Sequence, residues 1–280
     1  MHRLKLVKEL KVWLLGIAAG LMAIHLNLTW KSGNTDLLGS SVLFWIAVSS
    51  LLWKKRNTFT LVSDVFSSFF GASLISLVLL KSASLYGRDF FLYISPLISG
   101  LGLGLLASGM TGLKQYWQEL VILCVLAIPP QLPSLLIDVP YLTAKFASYT
   151  LWYLGFPVSR QGANVILSQG SVHVDPGCSG VTVMLQLLGL AFIFLVMFPT
   201  NLSQKIFVPV VAILIGFVVN GVRVALMVFL VTFSHPEAFV YWHVGDGSLI
   251  FSLIAVMIFG FFCRFLLLWD EPGSQNSIEV

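Results

Sequence analysis

Long apolar runs recur along this chain and are separated by short polar segments. Each run approaches the roughly 20 residues that an α-helix needs to cross a bilayer. The pattern therefore predicts an all-α integral membrane fold, a polytopic bundle of about eight transmembrane helices. We interpret 1–280 as one polytopic membrane domain. The predicted spans are 12–30, 37–53, 61–80, 89–108, 117–136, 179–198, 206–232 and 248–268.

The longest polar interruption, residues 137–177, separates the predicted fifth and sixth spans. Aromatic side chains crowd its first half, which is typical of a helix that lies in the membrane interface. In its second half, Asn-Val-Ile-Leu at 164–167 and Ser-Val-His-Val at 171–174 flank Ser-Gln-Gly at 168–170. Two such segments around a short turn predict a small β-hairpin. We expect the whole insertion to be extracytoplasmic.

Composition supports the membrane interpretation and excludes a water-facing globular domain. Hydrophobic residues make up 58% of the chain and charged residues only 10%, whereas soluble domains carry about 25% charged residues. The net charge of +4 comes largely from short basic clusters that flank the spans. Such clusters are topology signals, so we expect no nucleic-acid partner. The three cysteines have no CxxC spacing, so we expect no metal site and no cofactor.

The distribution of basic residues predicts the orientation. A cytoplasmic N-terminus places residues 54–56, Lys114 and Lys205 in the cytoplasm, in agreement with the enrichment of lysine and arginine in cytoplasmic loops. The basic N-terminal stretch and the apolar run from Val12 then form an uncleaved first helix. The insertion and the loop between the last two spans lie on the outer side of the plasma (inner) membrane.

Cys178 differs from the other two cysteines in its position. It follows Pro176 and Gly177 at the predicted start of the sixth span, where unpaired N–H groups and the helix dipole favour a thiolate. A thiolate is the attacking species in cysteine catalysis. Cys124 and Cys263 lie inside apolar spans, where cysteine behaves as a small hydrophobe. The same structural role remains an alternative for Cys178.

Arg223 lies inside the predicted seventh span, within the sequence Asn220-Gly-Val-Arg. A charge at that depth costs a few kcal/mol, so it normally faces protein or water and marks a functional site. Asn220 and Arg223 are three residues apart and share a helix face. The long arginine side chain can reach toward the outer surface. A structural ion pair with Asp64 or Glu119 is the alternative.

Three further polar residues lie near the same predicted surface. His243 stands in the loop between the last two spans, and histidine exchanges protons near neutral pH, as a general acid or base must. A lone loop histidine is also commonly just a solvated side chain. His173 and Asp175 precede the cysteine and are candidates to orient His243 or to bind substrate. An exposed hairpin edge explains them equally well.

The predicted topology brings Cys178, the outer end of Arg223 and His243 to one membrane face. A nucleophile, a fixed positive charge and a proton carrier are the groups that acyl transfer through a thioester requires. The arginine would stabilise the oxyanion or dock a substrate carboxylate, and the histidine would activate the thiol and protonate the leaving amine.

Two non-peptidase functions remain as alternatives. In a multi-span transporter, Arg223 with Asp64 or Glu119 would line a substrate path. In a non-enzymatic membrane assembly factor, the polar residues would hold helices together. The transporter alternative predicts transport that Cys178→Ala does not affect. The assembly-factor alternative predicts that replacing Cys178, Arg223 or His243 by alanine reduces folding and not processing.

Three motifs occur in a fixed order on successive helices: Pro-Gly-Cys-Ser-Gly at 176–180, Asn-Gly-Val-Arg at 220–223, and His243. Together they resemble the exosortase/archaeosortase family, and more specifically a cyanobacterial-type exosortase. The specific part of the resemblance covers roughly residues 160–250. The hairpin before the cysteine and the multi-span framework are also similar.

The resemblance implies a sortase-like cysteine transpeptidase or protease with a triad of Cys178, Arg223 and His243. Its partners would be exported, membrane-anchored proteins with a tripartite C-terminal tail: a Pro-Glu-Pro-like motif, a transmembrane helix and a basic cluster. Cleavage would occur at the outer membrane face through a Cys thioester, with the acyl acceptor open. The residues expected to support the triad are Asn220, His173, Asp175, Ser179 and Gly180.

Overall fold

The computed structural model describes residues 2–85, 87, 89–168, 170–233, 236–243 and 246–269. The chain divides into two compact units. One comprises Met1–Pro129 and Leu195–Pro199, and the other Pro130–Phe194 and Thr200–Val280. The interpretation of 1–280 as one domain stays a prediction.

Helices are the regular elements of the first unit among its described residues, and irregular segments such as 56–64 join them. Two of its helices begin at side-chain caps: Asn34 accepts a hydrogen bond from the backbone N–H of Leu37, and Asp64 accepts one from that of Ser67. Such caps satisfy N–H groups that a helix start leaves unpaired. The helices are α1 (His2–Lys31), α2 (Thr35–Lys55), α3 (Val65–Ala83), α4 (Phe91–Gly112) and α5 (Trp117–Leu126), with a 3₁₀ turn at Leu113–Tyr116.

The second unit combines helices with a small antiparallel sheet. Its elements are α6 (Gln131–Ser134), α7 (Val139–Tyr153), β1 (Ser159–Gln161), β2 (Asn164–Leu167), β3 (Gly170–His173), α8 (Val181–Met197), α9 (Leu202–Thr232), α10 (Pro236–His243) and α11 (Asp246–Trp269). The last three residues of α8 fall in the 195–199 segment of the first unit.

Within the described residues, six helices are long and apolar enough to cross a membrane: Leu10–Lys31, Thr35–Lys55, Val65–Ala83, Phe91–Leu126, Leu202–Thr232 and Gly247–Leu268. A shorter apolar helix, Val181–Met197, occupies the predicted sixth span. The polytopic helical fold predicted from the sequence is thus confirmed. The predicted fourth and fifth spans fall largely in the segment Phe91–Leu126, which is not one straight helix. Its backbone leaves helical geometry at Gly109, and Gly100 of α4 lies against Leu123 of α5.

The predicted fifth span, 117–136, contains only the ten-residue helix α5 before the chain turns. Three prolines, Pro129, Pro130 and Pro133, follow its end. Proline lacks an N–H donor and disfavours helical geometry in the residue before it. The apolar run 117–136 is as long as a membrane span. Its backbone does not remain helical along that length, because the prolines interrupt the helix after α5.

The predicted insertion contains both expected elements, an aromatic-rich helix (α7) and a hairpin of β2 and β3. Asn164 pairs with His173 and Leu167 with Gly170, and residue 169 of the predicted turn lies outside the described residues. A third strand, β1, extends the hairpin in the order β1-β2-β3. Its three residues are too few to show an alternating pattern, so the sequence gives no signal for this strand.

A shared apolar core lies beneath this sheet. The buried face of α7 carries Thr143, Ala144, Ala147 and Leu151, a spacing of three and four residues that places them on one side of a helix. The inward side chains of β2 and β3 and the buried residues 224–228 of α9 complete this core, which also contains Cys178. The core therefore fixes the position of the cysteine.

Candidate active site

Cys178 lies in the turn that joins the sheet to α8, and its side chain is buried, with only 6% of its surface exposed. The helix begins at Val181, so the prediction that Cys178 starts a transmembrane helix is wrong by three residues. Its backbone N–H donates to the Asp175 carboxylate, with a separation of 2.8 Å. This Asp175 contact bends the chain after β3 and turns the thiol toward the core.

Three side chains hold the carbonyl groups of the same turn, one from the turn itself and two from the helices α7 and α9. The Ser179 hydroxyl donates to the Pro176 carbonyl (2.7 Å), and the Thr143 hydroxyl of α7 donates to the Ser179 carbonyl (2.8 Å). The Asn220 amide of α9 donates to the Cys178 carbonyl (2.9 Å). These contacts fix the backbone on both sides of the sulfur.

Thr143 is a site residue that sequence reasoning missed. It is fully buried and sits on the apolar face of α7. The sequence offers one signal: Thr143 is a polar residue in line with Ala147 and Leu151, at a spacing of four residues along α7. A threonine at such a position looks like an ordinary core residue until the acceptor of its hydroxyl is known.

Gly180 follows the cysteine with a φ of +90°. This left-handed conformation is unfavourable for residues that have a Cβ atom. A Cβ built on Gly180 would lie 2.6 Å from the Nδ2 and Cγ atoms of Asn220. Glycine is therefore required both for the turn and for the close approach of Asn220 to Cys178.

Substituting Gly180 by alanine should lower the free energy of unfolding by about 1–3 kcal/mol, the usual cost of a strained backbone conformation. Thermal unfolding of the purified protein in detergent measures the change. Gly260→Ala is the matched control, because a Cβ at Gly260 of α11 would meet no atom within 4 Å. Equal unfolding temperatures for the two variants would contradict the requirement for glycine.

Arg223 projects from α9 toward the end of α10. Its Nε donates to the Trp242 carbonyl (3.2 Å), its Nη2 to the His243 carbonyl (2.7 Å) and its Nη1 to the Asn220 side-chain oxygen (3.4 Å). The last contact confirms that Asn220 and Arg223 share a helix face. Trp242 enters the site through its backbone carbonyl, which no sequence motif can reveal.

The two acids proposed as alternative partners of Arg223 are engaged elsewhere. The Lys55 ammonium lies 3.0 Å from the Glu119 carboxylate. Asp64 caps α3 through the backbone N–H of Ser67 and also accepts a hydrogen bond from its hydroxyl. Each acid thus has a partner within the first unit, and its ion pair with Arg223 stays an alternative.

His243 is the last residue of the short helix α10, which lies in the chain between the predicted last two spans. Its Nε2 atom is 3.3 Å from the Cys178 sulfur, within hydrogen-bonding distance. The Phe239 ring, one turn earlier in α10, packs edge-on against the imidazole with the two ring centres 5.1 Å apart. The structure therefore brings the sulfur and the imidazole together from separate elements.

Burial and neighbouring charges determine the protonation of the pair. Burial raises the pKa of the Cys178 thiol to about 11, and the Asp175 carboxylate adds to this effect while Arg223 opposes it. Burial also lowers the pKa of His243, with Arg223 acting in the same direction and Asp175 against it. Desolvation thus opposes the thiolate that the start of a helix would favour. Both groups are neutral near pH 7.

The supporting candidates have different positions. Asp175, Ser179, Gly180 and Asn220 all contact the turn that carries the cysteine. The His173 imidazole instead lies on the exposed face of β3, where its Nδ1 is 2.7 Å from the Asn164 side-chain oxygen. The hydrogen bond to Asn164 on the neighbouring strand accounts for the position of His173. No role in the chemistry of Cys178 is needed to explain it.

The arrangement has the parts needed for nucleophilic catalysis by cysteine. It contains a thiol, an imidazole able to take its proton, and a guanidinium beside both. Among the described residues, no group of three or more histidine, cysteine or acidic side chains could hold a metal ion. The chemistry that these side chains can perform by themselves is covalent acyl transfer.

Comparison with known protein families identifies a relationship. A model of the transmembrane exosortase family matches residues 30–260, which include all the site residues described above. No curated protein and no solved structure matches the chain.

Proposed function

The chain belongs to the transmembrane exosortase family, and on that premise we propose that it is a cysteine transpeptidase or protease embedded in the plasma membrane. It cleaves the C-terminal sorting tail of exported proteins at the outer membrane face. The observation that supports this most directly is the distance of 3.3 Å between the Cys178 sulfur and His243 Nε2. The family match supports a role in sorting exported proteins.

The first half of the proposed reaction forms a thioester. The Cys178 thiol gives its proton to His243 Nε2 as the sulfur attacks the carbonyl carbon of the scissile peptide bond. The imidazolium then protonates the leaving amine when the carbon–nitrogen bond breaks. The membrane-anchored tail departs as the amine product, and the exported part remains bound to the sulfur.

The second half releases the exported part. Water or an amine attacks the thioester carbonyl and gives its proton to His243, and the carbon–sulfur bond breaks. The sulfur then recovers the proton from the imidazolium, which restores the neutral pair. Arg223 completes the proposed triad, and its positive charge favours the thiolate that is formed transiently in both halves.

The predicted substrate is a tripartite tail with a Pro-Glu-Pro-like motif, a transmembrane helix and a basic cluster. With a cytoplasmic N-terminus and the eight spans predicted from the sequence, the turn that carries Cys178 and the end of α10 would both lie on the extracytoplasmic side. The basic cluster of a client would remain in the cytoplasm, and its cleavage motif would emerge on the outer side. The exposed aromatic residues of α7 would contact the segment between motif and helix.

Reconstitution with such a client tests the proposed function. The protein and a tailed client are placed in the same vesicles, and mass spectrometry measures the mature C-terminus of the client. We expect cleavage near the Pro-Glu-Pro-like motif, and in the presence of hydroxylamine we expect a C-terminal hydroxamate from the thioester. The same client with a scrambled motif is the control. A client that stays intact would contradict the proposal and favour a transporter or assembly factor.

The Asp175 carboxylate gives a prediction about pH. We expect kcat/KM to rise as His243 loses its proton and to fall as the thiol is deprotonated, which gives a bell-shaped profile. The negative charge of Asp175 raises both pKa values, so Asp175→Asn should move both limbs to lower pH. Asparagine keeps the oxygen that accepts the Cys178 N–H.

Two measurements check this shift. Client processing as a function of pH follows the acid limb, and alkylation of Cys178 by iodoacetamide follows the thiol titration. Asp138→Asn is the matched control, because Asp138 caps the start of α7 and is distant from the sulfur in sequence. Limbs that stay in place, or that move to higher pH, would show that Asp175 does not influence the pair.

A further inference from the structure

The end of α10 needs support from outside the helix. An isolated helix of this length is marginal because nucleation is unfavourable, and α10 has only eight residues. The last carbonyl groups of any helix also lack intrahelical partners. His243 is at that end, so an unsupported helix end would leave the imidazole without a fixed position.

The Arg223 guanidinium contacts two of these terminal carbonyls. Nε and Nη2, which lie on one edge of the planar group, donate to the adjacent carbonyls of Trp242 and His243. A cation at a helix C-terminus also interacts favourably with the helix dipole. The two hydrogen bonds therefore cap the C-terminal end of α10.

The same arginine is connected to the nucleophile from the other side. Its Nη1 donates to the Asn220 side-chain oxygen, and the Asn220 amide donates to the Cys178 carbonyl. The Cys178 sulfur is in turn within hydrogen-bonding distance of His243. A closed ring of four contacts therefore connects the cysteine turn, α9 and α10.

We propose that Arg223 is a positioning residue: its guanidinium clamps the C-terminal end of α10 and so holds the His243 imidazole at the Cys178 sulfur. This role differs from bidentate docking of a substrate carboxylate, because the Nε–Nη2 edge that such docking uses is occupied by backbone carbonyls. The inference rests on the proposed function only for its catalytic consequence. The clamp itself exists without any client.

Arg223→Lys separates the clamp from the charge. Lysine keeps the positive charge but has a single ammonium in place of the planar fork. We expect kcat for client processing to fall about 10²-fold, the effect of misplacing a reacting group by ~1 Å, with KM unchanged. A raised KM with kcat preserved would instead indicate carboxylate docking and overturn the clamp. Arg264→Lys, the same change on α11, is the matched control.

A second experiment needs no client, so it tests the clamp even where client processing fails. Cys124 and Cys263 are replaced by alanine, and the alkylation rate of Cys178 by iodoacetamide is measured against pH. We expect Arg223→Lys to change this profile as His243→Ala does, and the combined variant to show no further change. Such non-additivity indicates that both residues act through one contact.

Three results would overturn the inference. The first is an Arg223→Lys variant whose alkylation profile matches that of the protein with Arg223, while the profile of His243→Ala does not. A positive charge alone would then be enough to keep His243 at Cys178. The second is an additive double variant. The third is loss of the whole fold in Arg223→Lys, measured by thermal unfolding, because the arginine would then support the protein generally and not α10 in particular.

Discussion

Replacing Cys178 by alanine should abolish client processing while leaving a folded membrane protein. Removal of the nucleophile from comparable Ser–His enzymes costs about 10⁶-fold in kcat, which lies below detection in a client assay. The protein should remain folded because alanine preserves the backbone contacts of Asp175 and Asn220 with residue 178. Uncleaved client that retains its tail, measured by mass spectrometry, is the expected result.

The other two cysteines supply the controls for this result. Cys124→Ala and Cys263→Ala make the same chemical change in the helices α5 and α11 and should process clients normally. Thermal unfolding of all three variants separates lost chemistry from lost folding. Mature client produced by Cys178→Ala would remove the nucleophile assignment, and with it the thioester mechanism.

Replacing His243 by alanine should reduce processing by about 10²–10⁴-fold, the usual contribution of a general acid–base residue. The neutral thiol, with its pKa of about 11, would have no group at hand to accept its proton. The acid limb of the pH profile should disappear as well, since the titrating imidazole is gone. Processing rates measured from about pH 5 to about pH 9, a range that includes the usual titration of histidine, show both effects.

Chemical rescue distinguishes proton transfer from a packing role for this histidine. The Phe239 ring packs against the imidazole, so His243→Ala opens a small space that free imidazole can enter. Partial recovery of processing with added imidazole is expected. No recovery, together with a lowered unfolding temperature, would mean that His243 serves the fold and not the chemistry.

Much of the fold could be predicted from hydropathy, because a backbone in lipid must satisfy its own hydrogen bonds and helices do so within one segment. The exceptions occur where local backbone chemistry competes with hydropathy. Pro129 and Pro130 end a helix inside an apolar run. At α10, an eight-residue helix carries aromatic and polar residues that show no clear apolar stripe.

The sequence was enough to predict which residues form the candidate site. It was not enough to predict their protonation or their hydrogen-bond partners. Cys178, Arg223 and His243 are unusual residue types for their positions, and the topology alone brought them to one face. Their protonation could not be predicted, because it depends on how deeply the core buries the sulfur. The partners of Arg223 could not be predicted either, since backbone carbonyls are present at every residue and carry no sequence signal.

The shortness of α8 has a consequence for the fate of the thioester. At 1.5 Å per residue its 17 residues span about 25 Å, less than the roughly 30 Å hydrocarbon thickness of a typical bilayer. As a membrane span, α8 would therefore leave the turn that carries Cys178 at the depth of the lipid headgroups, or would thin the leaflet around it. We expect an acyl group held at that depth to meet less water than one in the bulk phase. Hydrolysis would then compete less well with transfer to an acceptor delivered along the membrane.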